Sequence, residues 1–401
     1  MSVKKVLHGE NVMVTMPKPL ILWGTYDTGK PRTRIITGGL RSIGVNFVEC
    51  HKPVWSDVKD KSQLSGATKI FYFVKSICTY PLLIKRYFSM PDHDIVLFPY
   101  MGIFDILVFG IFVNRFAKKK LVYDIFVPLY DTVVNDRKLL SKNHLLARLF
   151  FILEKKAVDY SDLSFLDTRS HAEYFCSLYS VERRKVKHLF VGAEEHYFRK
   201  DYTVPQVFEN SKFNVLFYGQ FIPLHGIQII IEAAEIIEKS GYSDVTFILA
   251  GKGQETEKID KLIASKSLKN IVRTEWVVET ELVNWIKSAD ICLGIFGDSK
   301  KAKSVIPNKV YQILAAGKII ITADTEAIRE LLAFTDCAEN VITVTKPYPQ
   351  NLAEKVIYLY REKAVVGKCI TGFRPVDIAR KFMHEIEMLF EQPREQNNGI
   401  R

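Results

Sequence analysis

No two of the six cysteines in this 401-residue chain, Cys50, Cys78, Cys176, Cys292, Cys337 and Cys369, form a C-x-x-C pair or join histidines at zinc spacing. That scatter argues against a disulfide framework and against a structural zinc site. Several of them sit in apolar runs such as Asp290-Ile291-Cys292-Leu293, which is how buried reduced thiols of a cytoplasmic protein look. Met1 to Thr15 lacks the apolar region and cleavage site of a signal peptide. The one stretch resembling a membrane span, Ile95 to Val113, is broken by Pro99, Gly102, Asp105 and Gly110. A span needs about 20 mostly apolar residues without such punctuation. A strand, a loop and a buried helix are expected there instead. Acidic residues are the minority, 45 against 56 basic ones, giving a net charge of +11. That excess suits an anionic partner: nucleic acid, an acidic membrane surface or phosphorylated substrates. No nucleic-acid recognition motif accompanies it, so no nucleic-acid partner is expected.

What is present is enough for two cores. With 48% hydrophobic and 25% charged residues the composition is globular. From residue 19 to about 360, short apolar runs alternate with helical patterns, as in parallel sheets with crossover helices. In the first half the spacing predicts strands at Pro19–Trp23, Val45–Glu49, Ile95–Phe98, Leu121–Tyr123, Leu163–Leu166 and Val186–Phe190, with long inserts between them. A basic helix through Arg41 is predicted after the turn Gly24-Thr25-Tyr26-Asp27. The polar stretch Arg199–Lys212, with Pro205, marks a break. A more regular series follows at Phe213–Tyr218, Val245–Ala250, Asn270–Arg273, Ile291–Ile295, Ile319–Thr322 and Val341–Val344. Its clearest helix, Ile227 to Lys239, puts Ile230, Ala233, Ala234 and Ile237 on one face and stops at Gly241. Six strands with intervening helices make a Rossmann-like domain. A last helix, Val376 to Glu391, follows Pro375, and the tail after Gln392 reads as disordered. The expected units are 1–205, 206–375 and a C-terminal segment 376–401 whose helix crosses back to the first domain.

Two segments carry the chemistry. Tyr218-Gly219-Gln220-Phe221-Ile222-Pro223-Leu224-His225-Gly226 joins the first strand of the second series to its first helix. Such a turn faces the ligand crevice of a doubly wound sheet. Gly219 lets the backbone approach a ligand, and Gly226 opens a helix whose free N–H groups favour an anion. The same glycines are also common in turns that bind nothing. In the second segment, Ser304 to Lys318, Pro307 starts a helix, Asn308 and Lys309 occupy its first turn and Gly317 ends it. A lysine there opposes the helix dipole, and a bound anion would resolve the conflict. A solvated lysine is the alternative.

These segments, with the loop Ala250-Gly251-Lys252-Gly253, resemble in order and spacing the donor-binding half of glycosyltransferase family 4. The first half adds Trp23 to Asp27, Asp124, Leu166-Asp167-Thr168 and Val191-Gly192-Ala193-Glu194 where such proteins carry interdomain loops. The resemblance implies an α/β GT-B fold, with two Rossmann-like domains facing across a cleft. It also implies a nucleotide-sugar donor and retention of anomeric configuration; a glycan or lipid-linked acceptor is expected with it, and neither metal nor cofactor, since no metal-ligand cluster accompanies the phosphate site. Gly219, Gln220, Gly226, Gly251, Gly253, Ser304, Pro307, Asn308 and Gln312 are then expected on the donor side, and Gly24, Tyr26 and Arg32 on the acceptor side, where Arg32, like Arg34, either meets an anionic acceptor or coats a helix. Asp124 is expected to face the reacting sugar or to cap a loop, with Asp131 as a second carboxylate.

The chain also departs from that family. Gln220 and His225 stand where an Arg and a Lys are usual, and Ser304 and Gln312 replace two Glu eight residues apart. His225 and Lys309 are left as the cations for the diphosphate. An inactive scaffold of the same fold and a nucleotide-sugar epimerase remain alternatives. Asp92-His93-Asp94 matches a D-x-D metal motif but precedes a strand, so it reads as a loop cap. Gly251-x-Gly253 is too short for a dinucleotide fingerprint. Lys69 to Phe88 mixes Ile70, Phe71, Tyr72, Phe73, Leu82, Leu83 and Ile84 with Lys69, Lys75, Lys85 and Arg86. It reads either as a surface for an anionic bilayer or as a buried crossover helix.

Overall fold

The computed structural model describes residues 16–54, 66–208, 212–346, 348–363 and 367–391. The expected leader-free start and disordered tail lie outside these residues, as do the side chains of Lys69, Ile70 and Phe73. The first sheet contains β1 (Leu20–Gly24), β2 (Phe47–His51), β3 (Ile95–Phe98), β4 (Lys120–Asp124), β5 (Leu163–Leu166) and β6 (Val186–His188). Its order is β2-β1-β3-β4-β5-β6, parallel throughout. The second contains β7 (Phe213–Tyr218), β8 (Val245–Ala250), β9 (Ile271–Thr274), β10 (Ile291–Leu293), β11 (Ile319–Ala323) and β12 (Val341–Val344). Read from β9 to β12 its order is β9-β8-β7-β10-β11-β12, the Rossmann arrangement 3-2-1-4-5-6. Strands such as Leu20–Gly24 and Val245–Ala250 are buried at every position because helices cover both faces.

The helices of the first half are α1 (Pro31–Ser42), α2 (Gly66–Tyr87), α3 (Ile103–Phe112), α4 (Asn114–Ala117), α5 (Leu145–Tyr160) and α6 (Arg169–Tyr179). Those of the second are α7 (Ile227–Lys239), α8 (Thr256–Lys266), α9 (Glu279–Ser288), α10 (Lys300–Ser304), α11 (Asn308–Ala315), α12 (Glu326–Phe334), α13 (Pro349–Arg361) and α14 (Pro375–Glu391). The stretch 95–113 is indeed a strand, a loop and the helix α3, and no helix among the described residues is long and apolar enough to cross a membrane. Helix α14 packs on α1 of the first half. A Cβ at Gly39 would stand 2.0 Å from the Pro375 carbonyl oxygen, so only glycine permits this approach. Phe382 meets Phe165 of β5 at 5.1 Å between ring centroids, and Ile378, Phe382 and Ile386 are fully buried there.

Every strand read from the sequence exists, and at three of the boundaries that move a competing bond accompanies the change. The predicted Val45–Glu49 becomes Phe47–His51, because the Val45 N–H closes the turn after α1 by donating to Leu40 at 3.0 Å. The predicted Val186–Phe190 stops at His188, because the Leu189 and Phe190 carbonyls accept from the Arg32 guanidinium. The Ile295 N–H leaves the ladder for the Thr322 hydroxyl at 3.2 Å.

Candidate functional site

At the carboxyl edge of the second sheet, β7 sits between β8 and β10, where the strand order reverses. The chain leaves β7 through Gly219 at φ +135°, makes a 3-10 turn over Pro223–His225, and enters α7 through Gly226 at φ +62°. Gly251 and Gly253 lie against this loop rather than in open space. A Cβ at Gly251 would stand 1.8 Å from the Gly219 carbonyl oxygen, and one at Gly253 would stand 2.5 Å from that of Phe221. Their present role is close backbone packing that holds the 219–221 segment in place.

Helix α11 begins after Pro307, and Lys309 in its first turn points inward. Its side chain is 5% exposed, which removes the solvated-lysine alternative. Nζ has no hydrogen-bond partner and lies 3.8 Å from the centroid of the Phe217 ring. A Cβ on Gly219 would be 3.2 Å from that Nζ and 3.3 Å from His225 Cε1, so the three residues form one cluster. Burial, with no carboxylate to offset it, drives the Lys309 pKa well below that of a free lysine. Burial and then the neighbouring Lys309 drive His225 well below its usual value too, and its Nδ1 bonds the Gln220 carbonyl oxygen. The expectation of His225 as a second cation is therefore corrected: it is a neutral ring whose Nδ1–H donates to its own loop.

The other donor-side residues divide. Gln312 is fully engaged, accepting from the Tyr218 hydroxyl at 2.9 Å and donating to that of Tyr197 at 3.0 Å. Ser304 Oγ donates to the Lys301 carbonyl at 3.2 Å, and its own carbonyl accepts from Thr168 Oγ1 of the first domain. Gln220 accepts from Arg137 at 3.2 Å. Asn308 Oδ1, like Lys309 Nζ, has no partner. Gly226 lines a cavity of ≈ 770 Å³ at the carboxyl ends of β7, β10, β11 and β12, with Phe296, Thr325 and Lys346 on its other walls. Gly219, His225 and Lys309 do not line that cavity.

The first-domain expectations need larger corrections. Asp124 and Arg32 are 1% and 0% exposed and are each other's partner, Arg32 Nη2 to Asp124 Oδ1 being 2.9 Å. Arg32 spends its remaining donor on the Leu189 and Phe190 carbonyls. Both groups are buried and engaged by protein partners. Burial still raises the Asp124 pKa, with Arg32 pulling the other way. Gly24, at φ +131°, is pressed on Asp105, whose Oδ2 would be 2.2 Å from a Cβ there. Asp105 also accepts from Thr25 and from the Tyr80 hydroxyl, and burial pushes its pKa up to about 6. Tyr26 is 1% exposed and donates to Glu49 at 2.9 Å, so it too is structural rather than acceptor-facing. Asp131, in a π-helical turn over Asp131–Asp136, accepts from Tyr174 at 2.9 Å and leaves Oδ2 unpartnered. Asp92 and Asp94 both grip Lys18, at 3.0 and 2.9 Å, as a loop cap would. Among the described residues no group of three His, Cys, Asp or Glu side chains is placed to hold a metal.

Sequence reasoning missed the seam between the domains. Lys301 Nζ donates to Thr132 at 2.6 Å and lies 3.9 Å from Asp136. Asp167 Oδ2 accepts from the Ile306 N–H at 3.2 Å, and the Arg137 carbonyl accepts from Gln254 at 3.2 Å. The sequence offered Leu166-Asp167-Thr168, placed by resemblance among the interdomain loops, while the Lys300-Lys301-Lys303 run looks like a solvated face until α10 turns Lys301 inward.

Residues 212–362 match the family described as "Glycosyl transferases group 1", and no curated protein matches the chain. Among solved structures the chain is similar to HepE of Anabaena in complex with UDP, at 13% identity and TM-score 0.62, covering 92% of this chain and 100% of that one. It is similar to the sucrose-phosphate synthase of Thermosynechococcus elongatus, at 13% identity and TM-score 0.66, covering 93% and 99%. A glycosyltransferase of Rickettsia africae aligns at 13% identity and TM-score 0.57 over 94% and 100%. With both Rossmann-like sheets and the switch-point loop in place, the chain has the GT-B fold of these glycosyltransferases, and its residues 212–362 match the glycosyl transferases group 1 model.

Proposed function

We propose that the protein transfers a sugar from a nucleoside diphosphate donor to a glycan or lipid-linked acceptor in the cytoplasm, with retention and without a metal. The observation that carries this reading is Lys309: a buried amino group with no hydrogen-bond partner, beside a glycine turn at the sheet's switch point. A protein tolerates a desolvated, uncompensated cation poorly, and a diphosphate would supply the missing charge. As the leaving group departs, negative charge grows on its phosphate, and a fixed ammonium aimed there stabilises the transition state more than the ground state. The open N-terminus of α11, with the unpartnered Asn308 side chain, adds the helix dipole. His225 fixes the loop through its bond to Gln220 instead of contributing charge. Because Lys309 is enclosed, donor entry requires the seam between the domains to loosen, and closure would then exclude water. HepE is solved with UDP and with UDP-glucose, which makes a uridine nucleotide the first donor to test.

Calorimetric melting with UDP, GDP, ADP and their sugar conjugates tests the donor. A ligand bound by the native state alone stabilises it by about 2.7 kcal/mol at a hundredfold excess over its Kd. Stabilisation by one nucleoside diphosphate and not by its monophosphate is expected. No response to any of them would overturn the reading. A second reading, a non-catalytic partner of the same fold, is favoured by one fact: Asp124 and Gln312 are both wholly committed to protein partners. It predicts nucleotide binding without release of nucleoside diphosphate from any nucleotide sugar.

A further inference from the structure

Helices α2, α3 and α5 form one layer on the first sheet, joined through Tyr87 of α2 and Phe109 of α3 at 4.8 Å and through Gly110 of α3, pressed on the Tyr160 ring of α5. Their inward faces explain their sequences only in part. In α2 the buried positions are Ser76, Tyr80, Leu83 and Tyr87, spaced as one stripe of a helix. The opposite stripe should be polar, yet it holds Phe71, Val74 and Leu82, and Phe88 just beyond, all about half exposed or more. Helix α5 repeats the pattern: Leu145, Leu149 and Ile152 face outward, Leu145 at 79% exposure. Between them Phe112 and Phe116, the latter 72% exposed, extend from the end of α3 and from α4. A helix that is apolar on both sides has a second partner, and the described residues do not provide one.

Charge identifies the partner. Exposed cations stand beside each apolar stripe: Lys75, Lys85 and Arg86 on α2, Arg115 on α4, Arg148 and Lys156 on α5. The carboxylates nearby are withdrawn. Asp105 and Glu154 are buried under hydrogen bonds, and Asp159 pairs with Lys155. Helix α2 carries no acidic residue at all. Large apolar side chains level with exposed cations match the interface of a bilayer with acidic headgroups, where rings and leucines enter the acyl boundary and lysines reach the phosphates.

We propose that the outer face of α2, α3–α4 and α5 is a docking surface for an anionic bilayer. It lies on the first domain, away from Lys309, so its failure leaves the donor assignment untouched and the reverse also holds. The surface is broader than the single segment 69–88 that the sequence marks, and α5 contributes its most exposed leucine.

The test is flotation of the full chain with vesicles of phosphatidylcholine alone and with 30% phosphatidylserine, an amount of about one lipid in three. Binding is expected with the acidic vesicles only and should be lost in high salt. Leu149→Glu with Ile152→Glu, and separately Lys85→Glu with Arg86→Glu, should each lower partitioning on the order of tenfold or more. Both pairs are solvent-facing, so melting and its shift by UDP should stay as in the wild type, which certifies the fold. Equal binding to both vesicle types, or wild-type binding by both variants, would overturn the proposal. So would a concentration-dependent dimer that the Leu149→Glu, Ile152→Glu variant converts to monomer without vesicle binding by either, since a second copy would then be the occupant.

Discussion

Lys309 Nζ lies 3.8 Å from the centre of the Phe217 ring and has no hydrogen bond. A cation over an aromatic face gains about 2 kcal/mol or a little more when desolvated, well short of replacing its water. Lys309→Met keeps the stem and removes the charge. Without nucleotide the variant should melt no lower than the wild type, and calorimetry should place it higher. With UDP it should lose most of the stabilisation, and turnover should fall on the order of a hundredfold, about 2–4 kcal/mol in the transition state. A variant that binds UDP like the wild type would remove Lys309 from the phosphate site.

The same burial makes stability depend on pH. The folded-state pKa of Lys309 is lowered well below that of a free lysine. Between that lowered value and about 10.4 the unfolded chain binds more protons than the folded one, so stability rises with pH across the window. Denaturant midpoints should climb from neutral toward alkaline pH, and should climb less in Lys309→Met. Lys287, Lys301, Lys318 and Lys381, lowered chiefly by burial too, add to the slope in both proteins. A diphosphate would raise the Lys309 pKa again, so UDP affinity should weaken over the same range.

Asp124 offers the opposite outcome. Asp124→Asn leaves the Arg32 guanidinium buried without its countercharge, at a cost of about 3–5 kcal/mol. Urea denaturation should show that loss, while the shift produced by saturating UDP stays as in the wild type. Loss of turnover at unchanged stability would restore Asp124 to the reaction.

Gly251→Ala should act at a distance. The added methyl would stand 1.8 Å from the Gly219 carbonyl oxygen, at a φ of +146° that L side chains rarely adopt. The 219–221 segment must move, and UDP binding should weaken by tenfold or more. Gly241→Ala, with nothing within 4 Å of its Cβ, provides a comparison for left-handed backbone alone. If the two behave alike, the Gly219 contact does not position the loop.

Chelation tests the charge account. If Lys309 meets the diphosphate charge, sugar transfer should persist in EDTA at close to its untreated rate. Abolition by EDTA and recovery with manganese would transfer that role to a metal and return Asp92 and Asp94 to consideration.

The fold was legible because each half keeps strict strand–helix alternation, and buried parallel strands leave uninterrupted apolar runs. Helix α7 could be read residue by residue from Ile227 to Lys239. The site was legible only as positions. Gly219 and Lys309 are 90 residues apart, and nothing local says that the lysine turns inward beneath the glycine. Asp124 misled for the same reason: a strand-end carboxylate looks poised for a substrate until Arg32, 92 residues earlier, is seen to hold it. Pairings of that range are set by packing, which periodicity does not encode. Gln312 shows the reverse case. Its neutral amide, a departure from the family pattern, fits a site that needs one donor and one acceptor between two tyrosine hydroxyls.

Helix α14 has a consequence for how the chain is made. Ile378, Phe382 and Ile386 complete a core whose other walls are α1 and β5, more than 200 residues earlier. During synthesis the first domain is therefore left with an open apolar seam until residues 375–391 have left the ribosome. A chain of this kind usually folds domain by domain from its N-terminus. Here the second domain must finish before the first can close. Stalled or truncated chains would present that seam to chaperones, and a fragment ending near residue 205 should need a separately supplied α14 peptide to become compact.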